Sequence, residues 1–300
     1  MRIDSKSPLA SLRRWLLLAA LLLAGCSAGV RLGYNNADTL LVYTIDGYIG
    51  LSPEQEQLVK ERAGTLIAWH RATQLRDYAQ LVETTRRRLD GPVTAADVLA
   101  FSDAINARLA AVGARAAPDL AQLALTLTPE QIARMQRKLA SDNAKARREL
   151  VQLAGKETLD DRARRYAERA DFWFGSLTRE QMEVVRASLA KRPDGAGWWL
   201  DERERRQREL IALVQRIQAE RPSEEVATGW LRAYFAQLQL PADAERRARV
   251  IEFRAVNAEL VAQLVNAATP EQKAKLSNRL ASFAQDFVAL ASEKIVPLPG

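Results

Sequence analysis

A five-residue pattern built to start a helix occurs four times in this chain. Leu51-Ser52-Pro53-Glu54-Gln55 returns as Leu127-Thr128-Pro129-Glu130-Gln131, as Leu177-Thr178-Arg179-Glu180-Gln181 and as Ala268-Thr269-Pro270-Glu271-Gln272. Ser or Thr caps the helix, Pro suits the first helical position, Glu meets the positive end of the dipole, and Gln at the third position can complete a capping box. Each such cap contributes on the order of 1 kcal/mol. The copies lie 76, 50 and 91 residues apart, too unequal for a solenoid period. A duplicated helical unit stays open as a reading.

Between these starts the helical signal is dense and strand signals are nearly absent. The periodicity predicts one long helix over 53–89, stopped by Gly91-Pro92. Further helices are expected over 94–113, 118–125, 129–154, 158–175, 178–191, 198–220, 223–239, 242–267 and 270–293. Ala68, Ala72, Leu75, Ala79 and Val82 form a heptad-like seam on the first of these, where small residues permit close helix packing. Two more seams run through Val250, Phe253, Asn257, Leu260 and Leu264, and through Leu276, Leu280, Phe283, Phe287 and Leu290. Asn257, within a seam, reads as a register-setting residue rather than a site. The fold class is all-α, a multi-helix bundle of long antiparallel helices. Two lobes, 36–155 and 156–300, are expected to divide near Gly155.

Residues 1–25 read as a targeting segment. Arg2, Lys6, Arg13 and Arg14 precede the unbroken apolar run Leu16 to Ala24, far shorter than the roughly 20 residues a bilayer-spanning helix needs. Leu23-Ala24-Gly25-Cys26 then places two small residues before the chain's only cysteine. This tetrapeptide looks like the lipobox of bacterial lipoproteins. The resemblance implies cleavage before Cys26, a diacylglycerol on its thiol and an acyl chain such as palmitate on the new amine. It implies no cofactor beyond that covalent lipid. Ser27 stands where some bacteria place Asp to retain lipoproteins in the inner membrane, so the analogy favours an outer-membrane anchor facing the periplasm. Residues 26–35 would be a lipidated tether, spanning at most about 35 Å between Cys26 and Asn36.

Removing the targeting segment leaves 40 Lys+Arg against 36 Asp+Glu, so much of the basicity goes with it. Runs such as Glu202-Arg203-Glu204-Arg205-Arg206 read as solvated helix faces. With a periplasmic address, nucleic acid is not an expected partner. With Cys26 lipidated no disulfide can form within the chain, and the apolar core must hold the fold.

The most distinctive stretch is Tyr34-Asn35-Asn36-Ala37-Asp38, followed by Asp46-Gly47-Tyr48 and Glu54-Gln55. Asn36 is expected to cap a helix with Asp38 near its positive end, and Gly47 to end it as a left-handed cap. These residues resemble a family of proteobacterial lipoproteins carrying a conserved domain of unknown function, family 6279. The resemblance implies no known activity. Tyr34, Asn35, Asn36, Asp38, Asp46 and Tyr48 are candidate contact residues for an envelope protein partner. The alternative is architectural: Leu40, Leu41, Tyr43 and Ile45 dock the first helix, and Asn35 and Asn36 shape a turn.

The chemistry-bearing residues are sparse. His70 is the only histidine and Cys26 the only cysteine, so no metal site or nucleophilic triad is assigned, and no phosphate-binding glycine loop appears. His70 reads as a helix-face histidine. Asp38 and Asp46 could in principle serve a peptidoglycan hydrolase, but eight residues of helix separate them by about 12 Å. Trp173, beside Phe172 and Phe174, and the pair Trp198 and Trp199 are candidates for an apolar gripping surface or for core. The four helix starts also look like the Leu-Thr-x-x-Gln element of small periplasmic helical chaperones, matched fully at 127 and 177, with Ser for Thr at 52 and Ala for Leu at 268. The leading expectation is a lipid-anchored interaction or scaffold module without catalysis. A holdase-type chaperone is the alternative, and a peptidoglycan-acting enzyme comes third. The sequence sets neither the partner nor the oligomeric state.

Overall fold

The structure, a computed structural model, describes residues 26–154, 158–191 and 195–293. The targeting segment 1–25 and Gly155 lie outside the described residues. The described chain forms α1 (Cys26–Asn35), α2 (Ala37–Ile49), α3 (Pro53–Thr73), α4 (Leu75–Arg88), α5 (Ala95–Thr126), α6 (Pro129–Ala154), α7 (Leu159–Phe174), α8 (Arg179–Ala190), α9 (Gly195–Glu220), α10 (Glu224–Gln237), α11 (Ala244–Asn266) and α12 (Pro270–Ser292), with no strand among the described residues. The all-α expectation holds.

All four repeated patterns start helices through reciprocal caps. Ser52, Thr128, Thr178 and Thr269 accept from the backbone N–H of Gln55, Gln131, Gln181 and Gln272, and each Gln Oε1 accepts from the backbone N–H of its cap residue. The other end of each amide does something the sequence did not reveal. Gln55 Nε2 donates to Gln131 Oε1 at 3.1 Å, and Gln131 Nε2 donates back to Gln55 Oε1 at 2.6 Å. Gln181 and Gln272 exchange the same pair at 2.8 and 3.0 Å. Each amide also reaches the carbonyl just before its partner's motif: Thr126 and Gly50 in the first pair, Ala267 and Ser176 in the second. The four copies are thus two pairs of interlocked helix corners.

The corners define two units with the same wiring. In the first, α2 packs on α3 and α6, and α3 on α5; in the second, α7 packs on α8 and α12, and α8 on α11. Gly50 at φ 70° and Gly175 at φ 78° both take a positive φ at the corners after α2 and α7. The first unit's core joins Ile49, Val59, Leu123 and Ile132 with Ile211 and Val214 of α9. The second's joins Ala163, Phe174, Val185, Leu260 and Leu276 with Val93 from before α5. A third cluster seats Ala117, Ala121 and Ala124 of α5 against Ile217, Ala227 and Leu231. Residues 37–154 and 159–292 therefore repeat the same wiring. The repeat boundary is not a packing boundary, because the connector α4 lies along α12, α9 lies along α6, and α5 packs on α10 and α11.

Several expected boundaries change. The helix over 53–89 divides at Gln74, φ −104°, next to Thr73, whose hydroxyl takes the Trp69 carbonyl at 2.8 Å, a back-bond that bends helices. Its buried row is Gln55, Val59, Ala63, Arg71, Leu75 and Ala79, and Ala72 is exposed. The helices expected over 94–113 and 118–125 are one, α5, with Pro118 inside it. An interior proline costs about 3 kcal/mol, offset here because Ala117 and Ala121 on either side are fully buried. Gly47 lies within α2, and Gly50 is the cap. Residues 26–35 are helical rather than extended, shortening the reach of that segment to about 15 Å.

The amide pairs should behave as units. Gln181→Ala strands its partner amide and a helix N-terminus in the core and is expected to cost about 2–3 kcal/mol of unfolding free energy. Replacing Gln181 and Gln272 together by Leu should cost less than the sum of the two single changes in a denaturant-unfolding cycle.

Candidate functional site

Three of the polar residues singled out in the sequence, Tyr34, Asn35 and His70, gather where α1 meets the body. Arg71, the charged member of the buried row on α3, is 8% exposed. Its Nη1 donates to the Leu290 carbonyl of α12 and its Nη2 to Asn35 Oδ1, both at 2.7 Å. Its guanidinium also lies over the Tyr34 ring, 5.0 Å from the centroid. Tyr34 Oη meets His70 Nδ1 at 2.8 Å, and His70 Nε2 meets Tyr78 Oη at 3.1 Å. A neutral imidazole has one donor and one acceptor nitrogen, so one tyrosine donates to it and the other accepts. Asn35 Nδ2 reaches Glu293 Oε2 at 3.2 Å, and Arg31 Nε reaches Asp286 Oδ1 at 3.3 Å. One arginine thus joins the first, third and last helices.

Burial shapes the electrostatics of this cluster. It pushes the Tyr34 phenol up to about 12 and lowers the His70 imidazole below its ordinary value, because a charged form is disfavoured away from water. Asp286 is nearly fully buried. Its Oδ2, like Arg71 Nε, makes no hydrogen bond among the described residues. Arg71 and Asp286 both interrupt apolar rows, at 71 between Ala63 and Leu75 and at 286 between Phe283 and Leu290. A charge inside an apolar stripe was the signal that could have found them.

The other motif residues separate. Asn36 occupies the position before α2 but makes no side-chain cap; its Nδ2 donates instead to the Leu32 carbonyl at 2.8 Å. Asp38 Oδ1 accepts from the Thr39 backbone N–H, and Asp46 Oδ1 from that of Leu51, stiffening the corner into α3. Tyr48 Oη donates to Asp142 Oδ2 at 3.1 Å, beneath the Lys138 ammonium, and ties α2 to α6. The two aspartates are thus each used locally.

The aromatic candidates form two separate groups. Trp173 packs on Phe172 and on Phe283 of α12, whereas Trp199 packs on Trp198 and on Phe253 of α11. Trp199 also lines an open cavity of about 390 Å³ with Asn106, Leu109, Arg206, Phe235 and Arg254. The run 202–206 is not wholly a solvated face. Glu202 is buried and held by Arg205 at 2.7 and 2.9 Å, Arg206 at 2.9 Å and Arg246 at 3.3 Å. The hydrogen bonds from Arg205 lead in bringing its carboxyl down to about 2. Among the described residues there is no group of three or more His, Cys, Asp and Glu side chains placed to hold a metal, and no helix long and apolar enough to cross a membrane.

Fold and site together describe a duplicated all-α protein whose N-terminal helix is latched to its C-terminal one. Residues 47–227 match the model of a family of unknown function, DUF6279, and the chain belongs to that family. No curated protein and no solved structure matches it. The family match starts inside α2, so Cys26 to Asp46 precede it.

The half-buried histidine gives the latch a pH dependence of known sign. A folded pKa below the ordinary value of about 6.5 means that His70 contributes stability above that pH and loses it as the pH falls through the folded value. The melting temperature is expected to be lower at pH 5.5 than at pH 7.5, and the difference to shrink in His70→Gln.

Proposed function

We propose that this chain is an outer-membrane lipoprotein, acylated on Cys26 and facing the periplasm, whose helical body serves as a non-catalytic interaction or scaffold module of the envelope. The observation that carries the reading is that Cys26 lies in α1, a helix bonded to the body through Asn35, Tyr34 and Arg71. A flexible stalk would let an anchored body tumble. A latched helix transmits the position of the lipid to the whole bundle, as a scaffold requires. The short apolar run before Leu23-Ala24-Gly25-Cys26 supports the anchor. The local use of Asp38 and Asp46 favours binding over glycan hydrolysis.

One observation favours a holdase reading as the second choice. The cavity beside Trp199 is lined by exposed Leu109 together with Phe235, Leu238 and Val250, an apolar surface that could hold an unfolded segment. The helix-start patterns no longer argue for it, since both pairs are consumed in the corners.

Crosslinking the full-length protein in cells, wild type against Cys26→Ala, tests both. Capture of one defined envelope protein that depends on Cys26 is expected. A broad set of unfolded clients would transfer the assignment to the holdase reading.

A further inference from the structure

Helix α2 is apolar on two sides, and the body covers only one of them. Val42, Ile45, Tyr48 and Ile49 turn into the first unit's core. Leu40, Leu41 and Tyr43 point away from it, 53%, 37% and 79% exposed, and Leu32 of α1 adds a fourth large apolar side chain at 55%. Residues three apart on a helix are neighbours, so Leu40 and Tyr43 share a face. A soluble surface helix ordinarily puts polar residues there, and clustered exposed apolar side chains mark a contact surface. α2 has no Lys or Arg, only Asp38 and Asp46, so the face has nothing to offer an acidic partner.

We infer that this face rests on the bilayer to which Cys26 is anchored, with Leu32, Leu40 and Leu41 at the acyl boundary and Tyr43 at headgroup level. The inference rests on the anchoring reading above. Cys26 is itself part of α1, with no linker between it and the helix, and at a helical rise of 1.5 Å per residue Leu40 lies no more than about 21 Å along the chain from the acylated residue. The lipid surface is therefore the apolar phase within reach. Tyrosine, with an apolar ring and a polar tip, is a residue type enriched at that depth. An apolar helix face adds to acyl chains in holding a protein in the interfacial plane. The anchor supplies proximity, and α2 supplies orientation.

The test uses the full-length lipidated chain carrying Thr44→Cys, which keeps the face intact. Cys26 is acylated, so the new thiol alone takes an environment-sensitive fluorophore. In vesicles of phosphatidylethanolamine and phosphatidylglycerol, the label at 44 is expected to be quenched by lipids bearing a shallow nitroxide and to be several-fold less open to aqueous iodide than the same label on Ile251→Cys. Adding Leu40→Glu and Tyr43→Glu should restore iodide access. A label at 44 as open to iodide as the one at 251, on a chain whose mass shows acylated Cys26 and which floats with the vesicles, overturns the lipid face and leaves the anchor standing. A Cys26 found without lipid overturns the anchor, and the lipid face with it. Protection from iodide without nitroxide quenching means that copies of the chain cover the face, which also overturns the proposal.

Discussion

The exchanged glutamine amides are the interaction on which the rest of the bundle depends. Each of the four side chains closes a capping box and crosses to a second corner remote in sequence. One residue therefore fixes both where a helix begins and which other corner it meets. Buried amides of this kind are costly unless every donor and acceptor is used. Here the Oε1 and Nε2 of each glutamine all have partners, and the carbonyls just before the motifs are consumed as well. Hydrophobic burial would tolerate a helix sliding by a turn, whereas these bonds would not.

What the chain disclosed in one dimension and what it withheld follow from the range of each interaction. The helix starts are local chemistry, so Ser52, Thr128, Thr178 and Thr269 were legible, and with them the all-α class. Which motif pairs with which is a contact across 76 or 91 residues, and no local propensity encodes it. Pro118 was read as punctuation because the local rule is strong, but the buried alanines around it outweigh the rule. Gly47 was read as the cap, but it lies inside α2, and the turn into α3 puts the left-handed cap at Gly50. Arg71 and Glu202 were missed for opposite reasons: one lay unnoticed in an apolar row, and the other was hidden among arginines that suggested solvent. Of the candidate site, Tyr34 and Asn35 do meet in one place, while Asn36, Asp38, Asp46 and Tyr48 are spread along α2.

The duplication also explains the unequal spacing of the motifs. The first unit bridges its two corners with α4 alone, whereas the second uses α9 and α10. Each connector then lies on the closing helix of the other unit, α4 on α12 and α9 on α6. The repeat is visible in wiring and in the paired glycine corners, but its halves share a body.

The contact between α1 and α12 closes the polypeptide on itself. Arg71 grips α1 with one nitrogen and the carbonyl of Leu290 with another, so the seat of α1 on α3 is completed only when α12 is in place. A chain made start-first has the α12 side of α1 uncovered until that helix follows. Assembly is then an event that ends with the last residues delivered. A cut within α12 loosens α1 at the opposite end of the described chain.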